Sequence, residues 1–350
     1  MVRADISSDR FLLEPLLQGS AGSVIATDQN KSDEKERRSA REIGPFDIPL
    51  YATGSINISE AVWKDLVVKN FLAEYVLKDN VLNLTRMDGQ VAGGSFSNRA
   101  RVDLGKKGLA YSAEVDLKTI QANPLLTAFV PKAADSLLGA MDLTFALDGR
   151  GTEWQAFSRS LSGDGNMRVV DGRLINPGLV SGLSSFLQLP ELNDIQFDNF
   201  TGQFNIVDGK LNLDSQMLSS ILKLFPKGSV GLDGSLNLAL DTRLSPELTA
   251  KLDRKGGILS YLADKDGWTQ MPLLLKGNFA SPRFGLDPKG VQAQASKVLG
   301  NELGRQIDKL FKQQDPSQET DQQQTEEGAQ QAEDPTRKLL HDSLKKLFGN

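Results

Sequence analysis

Apolar and polar residues alternate with period two along much of this chain. Between Phe46 and Leu147 the stretches "IPLYATGSINIS", "VLNLTRM", "RVDL", "YSAEVDL" and "MDLTFAL" all follow this rule. In the last of them Met141, Leu143, Phe145 and Leu147 share one side, and Asp142 and Thr144 share the other. Such alternation predicts strands with one dry and one wet face, as in antiparallel sheets. The pattern returns in "GQFNIVDGKLNLDSQML" and "GLDGSLNLALDTRLS". Asp-Gly pairs at 88–89, 148–149, 164–165, 171–172, 208–209 and 233–234 punctuate these runs. Asp-Gly suits type I′ turns, whose central residues both need positive φ, so each pair predicts a hairpin turn.

A period of three to four residues marks the helices. "TEWQAFSRSL" opens with Thr152 as N-cap and Gln155 three residues later, a capping-box pattern. "NPGLVSGLSSFLQL" is apolar at Leu179, Leu183, Phe186 and Leu187. Ser245-Pro246 predicts a third helix with proline at its first position. Residues 289–312 predict a long amphipathic helix striped by Ala295, Leu299, Leu303, Ile307 and Phe311. Residues 313–335 are rich in Gln, Glu and Asp and read as a disordered linker. In the final segment, 336–350, Leu340, Leu344, Leu347 and Phe348 form an apolar stripe flanked by Lys345 and Lys346. A helix this short is marginal alone in water. Its partner is either a protein or an anionic membrane surface. At the other end, residues 1–17 read as a partial strand-helix unit, and 18–45, with "KSDEKERRSARE", as a charged linker or loop. Residues 46–312 are then one β-rich domain with a terminal helix. The expected fold is mainly β with accessory helices (α+β): an antiparallel, curled or groove-like sheet of many hairpins, capped by amphipathic helices.

Composition removes most chemistry from consideration. The 350 residues include no cysteine and a single histidine, His341, near the end of the chain. Thiolate nucleophiles, disulfides, a histidine metal cage and a Ser-His-Asp triad therefore have no residues to use in the folded body. A P-loop, a GxSxG elbow, HExxH and a dinucleotide-binding glycine pattern are absent from the sequence. The aspartates of the Asp-Gly pairs read as turn residues, not calcium ligands. A net charge of −5 and 7% aromatic residues argue against nucleic acid as a partner. No enzyme activity, metal or cofactor is expected. No run of about 18 apolar residues marks a transmembrane helix. "VRADIS" reads as a strand already under way, so an anchor or export signal is expected upstream.

Three stretches carry a family resemblance. "LSGDGNMRVVDGRLINPGLVSGL" (161–183) is similar to a G-x-G strand with D-G-x-[LI] followed by a short apolar helix. "FDNFTGQFNIVDGKLNLDSQMLSS" (197–220) with "GSVGLDGSLNLALDTRLSP" is similar to successive hairpins ending in a long alternating strand. "MPLLLKGNFASPRFGLDPKGV" (271–291) is similar to a closing strand pair before a terminal helix. In this order they resemble the C-terminal region of the AsmA family of Gram-negative envelope proteins. The resemblance implies an inner-membrane anchor outside this chain, a β-rich periplasmic body, and a groove related to bridge-like lipid-transfer proteins. Phospholipid transport or outer-membrane assembly is the implied role, with phospholipid and envelope proteins as partners.

The alternating pattern suits that role. Moving an acyl chain of ~16 carbons through water costs over ~10 kcal/mol at about 0.8 kcal/mol per CH₂. A continuous apolar sheet face removes that barrier without a nucleophile or cofactor. The residues expected to face lipid are Met141, Leu143, Phe145, Leu147, Phe204, Ile206, Leu211, Leu213, Leu236, Leu238 and Leu240. The same residues could equally pack under helices as ordinary core. The competing function is a structural or adhesive β protein that binds partners through its sheet edges or C-terminal helix.

Overall fold

The computed structural model describes residues 1–12, 42–129, 134–175, 177–253 and 263–299. They build one sheet of fifteen strands. In chain order these are β1 (Val2–Arg3), β2 (Ile6–Leu12), β3 (Ala52–Trp63), β4 (Leu66–Lys78), β5 (Val81–Val91), β6 (Gly94–Asp103), β7 (Ala110–Gln121), β8 (Leu137–Arg150), β9 (Ser162–Leu174), β10 (Ile195–Val207), β11 (Lys210–Leu218), β12 (Leu222–Gly231), β13 (Ser235–Leu244), β14 (Thr269–Asn278) and β15 (Ser281–Leu286). From β3 to β15 each strand pairs antiparallel with the next, an open meander. The expected antiparallel sheet of hairpins is what forms, with a parallel addition at one edge. There β1 and β2 both run parallel to β3. A long connection separates β2 from β3, and parallel neighbours need one.

Among the described residues, five helices accompany the sheet: α1 (Ala122–Phe129), α2 (Trp154–Ser160), α3 (Pro177–Leu187), α4 (Pro246–Asp253) and α5 (Pro288–Leu299), with a 3-10 turn at Pro190–Asn193. The helix expected from Ser245-Pro246 is α4, with the Leu248 N–H donating to Ser245 Oγ at 3.4 Å. The described part of the terminal helix is α5. Its continuation to residue 312, the helix expected by residue 17, most of the charged linker, the Gln-rich segment and the final helix with Leu340, Leu344, Lys345, Lys346, Leu347 and Phe348 lie outside the described residues.

The Asp-Gly expectation is corrected at four of its six sites. Asp208-Gly209 is a hairpin turn with positive φ at both residues, 51° and 71°, and Asp233-Gly234 closes the β12–β13 turn. The other four pairs lie inside β5, β8 and β9. Other residues make several of the turns, among them Asp79-Asn80 (51° and 61°) and Ala92-Gly93 (47° and 82°). The mid-strand glycines serve packing. A Cβ would stand 2.7 Å from the Phe96 ring at Gly89, 2.6 Å from Tyr111 at Gly149, and 2.2 Å from Phe197 at Gly172. At Gly165 it would stand 2.5 Å from Phe145 Cβ and 2.7 Å from Phe204 Cζ. In each of these Asp-Gly pairs, therefore, glycine leaves room for an aromatic ring from a neighbouring strand. A local motif scan cannot separate this use from a turn, because both want a residue without Cβ.

The capping box at Thr152 is also replaced. The N-cap of α2 is Glu153, without a side-chain cap bond. Thr152 instead holds the extended segment that precedes β3. Its backbone N–H and its hydroxyl donate to Glu42 Oε2 at 2.7 and 2.8 Å, and its Oγ1 accepts the Ile43 N–H at 3.2 Å. The same segment ties to the β6–β7 loop, Gly108 N–H donating to the Ile43 carbonyl and Phe46 N–H to the Leu104 carbonyl. It reaches the β4–β5 turn through Ile48 N–H and Asn80 Oδ1. Residues 42–50 are thus a strap across three strand ends. The Thr152 backbone bond, then its hydroxyl, hold the Glu42 carboxyl below the ordinary carboxylate range. Its folded pKa lies under its unfolded one, so this contribution is full above an unfolded value of ~4.3 and fades as pH falls through the folded value. Thermal melts against pH should show the loss in the wild type. Glu42→Gln should lack that acid dependence and start lower at neutral pH.

Candidate functional site

Antiparallel register turns the alternation of single strands into apolar rows across the whole sheet, because directly paired residues share a face. One row runs from β2 to β15 without a break: Ile6, Ile56, Ala73, Met87, Asn98, Val115, Phe145, Gly165, Phe204, Leu213, Gly228, Leu238, Leu275 and Phe284. Asn98 is its one polar side chain, and its Oδ1 accepts the Asp116 N–H at 3.2 Å. The next row passes through Tyr75, Leu84, Ala100, Ala113, Leu147, Gly163, Ile206, Leu211, Val230 and Leu236. On the other side of the first row, Phe96, Leu117, Leu143 and Met167 pair in turn. Leu240 pairs with Leu273, and Met141 with Ile120 and Val169. All eleven residues expected to face lipid therefore lie on one face of one sheet.

That face has two regimes. Over most of β12–β14, and at the ends of β8–β11 nearest α3, it is closed. Val180, Leu183 and Leu187 of α3, Leu189 just before the 3-10 turn and Leu192 within it, and Leu248 and Leu252 of α4 belong to one buried core with Ile195, Leu222, Leu244 and Leu273. Met141, Leu236, Leu238 and Leu240 are in this core, the leucines 5–7% exposed. Helix α3 reaches the far edge because Gly182 sits against the Phe284 ring, where a Cβ would be 2.9 Å from Cε2.

Over β3–β8 the face is open. Helix α1 covers only one end, where Leu66, Val91, Ile120 and Ala128 form a small separate cluster. Helix α2 meets the other end, Phe157 lying 5.7 Å from the Tyr111 ring. Between them Ile56, Phe71, Leu84, Met87, Val115, Phe145 and Leu147 are half-buried, and the opening runs on to Phe204 of β10 and Leu211 and Leu213 of β11, also half-buried; Leu143 packs against the closed core. Among the described residues no layer of helix or strand lies over this stretch. Phe71 and Phe96, 6.4 Å apart, and Phe145 and Phe204, 6.5 Å apart, tilt across their neighbours. Left-handed residues at breaks in register, Asn70, Thr119, Gly139 and Asp171, bend the strands near the α1 end. At ~4.8 Å per strand, β2 to β8 offers about 30 Å of this surface, close to the hydrocarbon thickness of a bilayer.

The opposite face is wet and mostly paired by charge. Arg99 meets Glu114 at 3.6 Å, Lys227 meets Asp214 at 2.8 Å, and Arg86 bonds to Asp88. The Arg86 guanidinium is the main cause of an Asp88 carboxyl held below its usual range. Residues of β4 to β7 on the open face, such as Phe71, Tyr75, Leu84 and Val115, were absent from the residues expected to face lipid. For Leu84 and Val115 the signal was present in the alternation of "VLNLTRM" and "YSAEVDL", but what leaves all four open is the position of α3 and α4.

The AsmA family model matches residues 19–215, more than half of the 350-residue chain. No curated protein and no solved structure matches.

Proposed function

This chain belongs to the AsmA family, and from that membership we propose that its open apolar face holds the acyl chains of phospholipid in the bacterial envelope. The family is envelope-associated, and membership suggests a role of the lipid-transport kind. The observation that carries the reading is the row from Ile6 to Phe145, apolar but for Asn98, in which Ile56, Met87, Val115 and Phe145 are half-buried and without a covering layer among the described residues. Each methylene laid against it escapes about 0.8 kcal/mol of hydration cost. The head group stays in water, beyond the strand ends. No bond is made or broken, so the function is non-enzymatic, and a periplasmic setting beside the inner membrane fits it. No helix among the described residues is long and apolar enough to cross a membrane.

Native mass spectrometry of the purified chain tests this. The wild type should retain phospholipid, and Leu84→Glu, which places a charge on the open face, should retain at least tenfold less. Arg99→Gln on the wet face should behave as wild type. A wild-type chain free of phospholipid, or a Leu84→Glu variant that keeps it, would rule the reading out. A second reading, capture of a protein partner by the sheet edge, draws on β2. Its outer edge has no partner strand among the described residues, and Ile6 and Leu12 are 50% and 52% exposed.

A further inference from the structure

On the wet face, cross-strand charges generally meet their opposites: Arg10 faces Glu60, Arg99 faces Glu114, Asp142 faces Arg168, and Asp214 faces Lys227. Two described pairings break this rule. Lys276 and Arg283 face each other near the β15 edge, and both are exposed, so water screens them. Lys223 and Arg243 face each other on β12 and β13 and are half-buried. Like charges directly opposite destabilise a sheet, and burial strengthens the repulsion.

Both cations are held in place by aromatic rings. Lys223 Nζ stands 3.9 Å from the centroid of Trp268, and the Arg243 guanidinium carbon stands 4.9 Å from that of Phe225. The backbone at Trp268 is tied down, its main-chain N–H donating to Asp264 Oδ1 at 2.9 Å. The acid nearest Arg243 is Asp241, two residues before it on β13. It takes one long contact from Arg243 Nη2, at 3.4 Å, and its other oxygen accepts from Gln270 Nε2 at 2.9 Å. Among the described residues Arg243 has this one long contact to a carboxylate, and Lys223 makes no ion pair. Arg243 Nε is buried and has no hydrogen-bond partner, a costly state for a charged donor.

We propose that Lys223 and Arg243 form a binding site for a phosphate group, on the face opposite the apolar one and independent of what that face carries. Direct pairing sets a guanidinium and an ammonium on the same face of adjacent strands, and a tetrahedral oxyanion bridging the two would offset their repulsion. The phosphate could be free or borne by a lipid head group at a membrane surface.

The test uses the whole chain. Inorganic phosphate should raise the melting temperature above that in chloride at matched ionic strength, as a ligand of the native state does. Lys223→Gln and Arg243→Gln should each weaken phosphate binding at least tenfold by titration calorimetry, while Lys276→Gln leaves it unchanged. If Arg243→Gln does not fold, Lys223→Gln alone decides. Flotation with phosphatidylcholine vesicles, with and without phosphatidylglycerol, separates the sources. Lysine-dependent flotation with the anionic vesicles identifies a head group, and calorimetric binding without flotation identifies free phosphate. Equal melting in phosphate and chloride with no lysine-dependent flotation would overturn the proposal, as would phosphate binding that survives Lys223→Gln.

Discussion

Leu273→Ala is expected to cost about 2–5 kcal/mol of stability, whereas Leu84→Ala costs about 1 kcal/mol or less. Leu273 is fully buried, paired with Leu240 on one side and Leu286 on the other, inside the closed half of the face. Removing its isobutyl group loses transfer free energy and leaves a cavity that α3 and α4 cannot fill without moving. Leu84 lies on the same face, between Tyr75 and Ala100, but is only half-buried. Water already reaches it, so truncation leaves no sealed void. Urea unfolding of both variants measures the contrast. Equal large losses would mean that the β3–β8 face is sealed like the rest, and would remove the surface that the lipid reading needs.

Gly54→Ala should detach the parallel edge. The carbonyl oxygen of Ala4 lies 1.8 Å from where the new Cβ would stand, and the Tyr75 hydroxyl oxygen 2.9 Å from it. These two groups bond to each other, the Tyr75 hydroxyl donating to the Ala4 carbonyl at 2.9 Å. Beside them, Asp5 Oδ1 accepts from the Ser55 N–H at 3.0 Å and from its hydroxyl at 2.9 Å, and the serine bonds hold the Asp5 carboxyl below its usual range. Glycine at 54 is what lets the chain between β1 and β2 lie this close to β3. With alanine there, the backbone of Ala4 must move and the bonds around it fail together. Hydrogen exchange should show residues 1–12 losing protection while β5 to β14 keep theirs. Gly285→Ala is the matched control, since nothing lies within 4 Å of its Cβ position. Retained protection at the edge in Gly54→Ala would show that the close approach is not what seats it.

Both experiments bear on a division visible in particular residues. Strand identity was legible wherever alternation was strong: "MDLTFAL" lies within β8, "YSAEVDL" within β7, and Leu236, Leu238 and Leu240 share one side of β13. Helix starts were legible where backbone chemistry is local, as at Ser245-Pro246. The Asp-Gly pairs misled because glycine removes a Cβ for more than one reason. At 208–209 the reason is positive φ, while at 164–165 it is the Phe145 and Phe204 side chains arriving from two other strands. Thr152 misled similarly, since its hydroxyl found Glu42, 110 residues away in sequence, in place of its own helix.

By itself, then, the sequence determined that these segments are strands with one dry and one wet side, that the chain has no cysteine and a single histidine, and which family the motif order resembles. These depend on short-range periodicity and on composition, both of which are local. Only the tertiary structure decided which dry residues are core and which remain open. Leu238 and Phe145 occupy the same row and follow the same alternation. One is sealed in the core with α3 and α4, and the other is left half-exposed. The difference lies in which elements are brought over each strand, and period two says nothing about what covers a face.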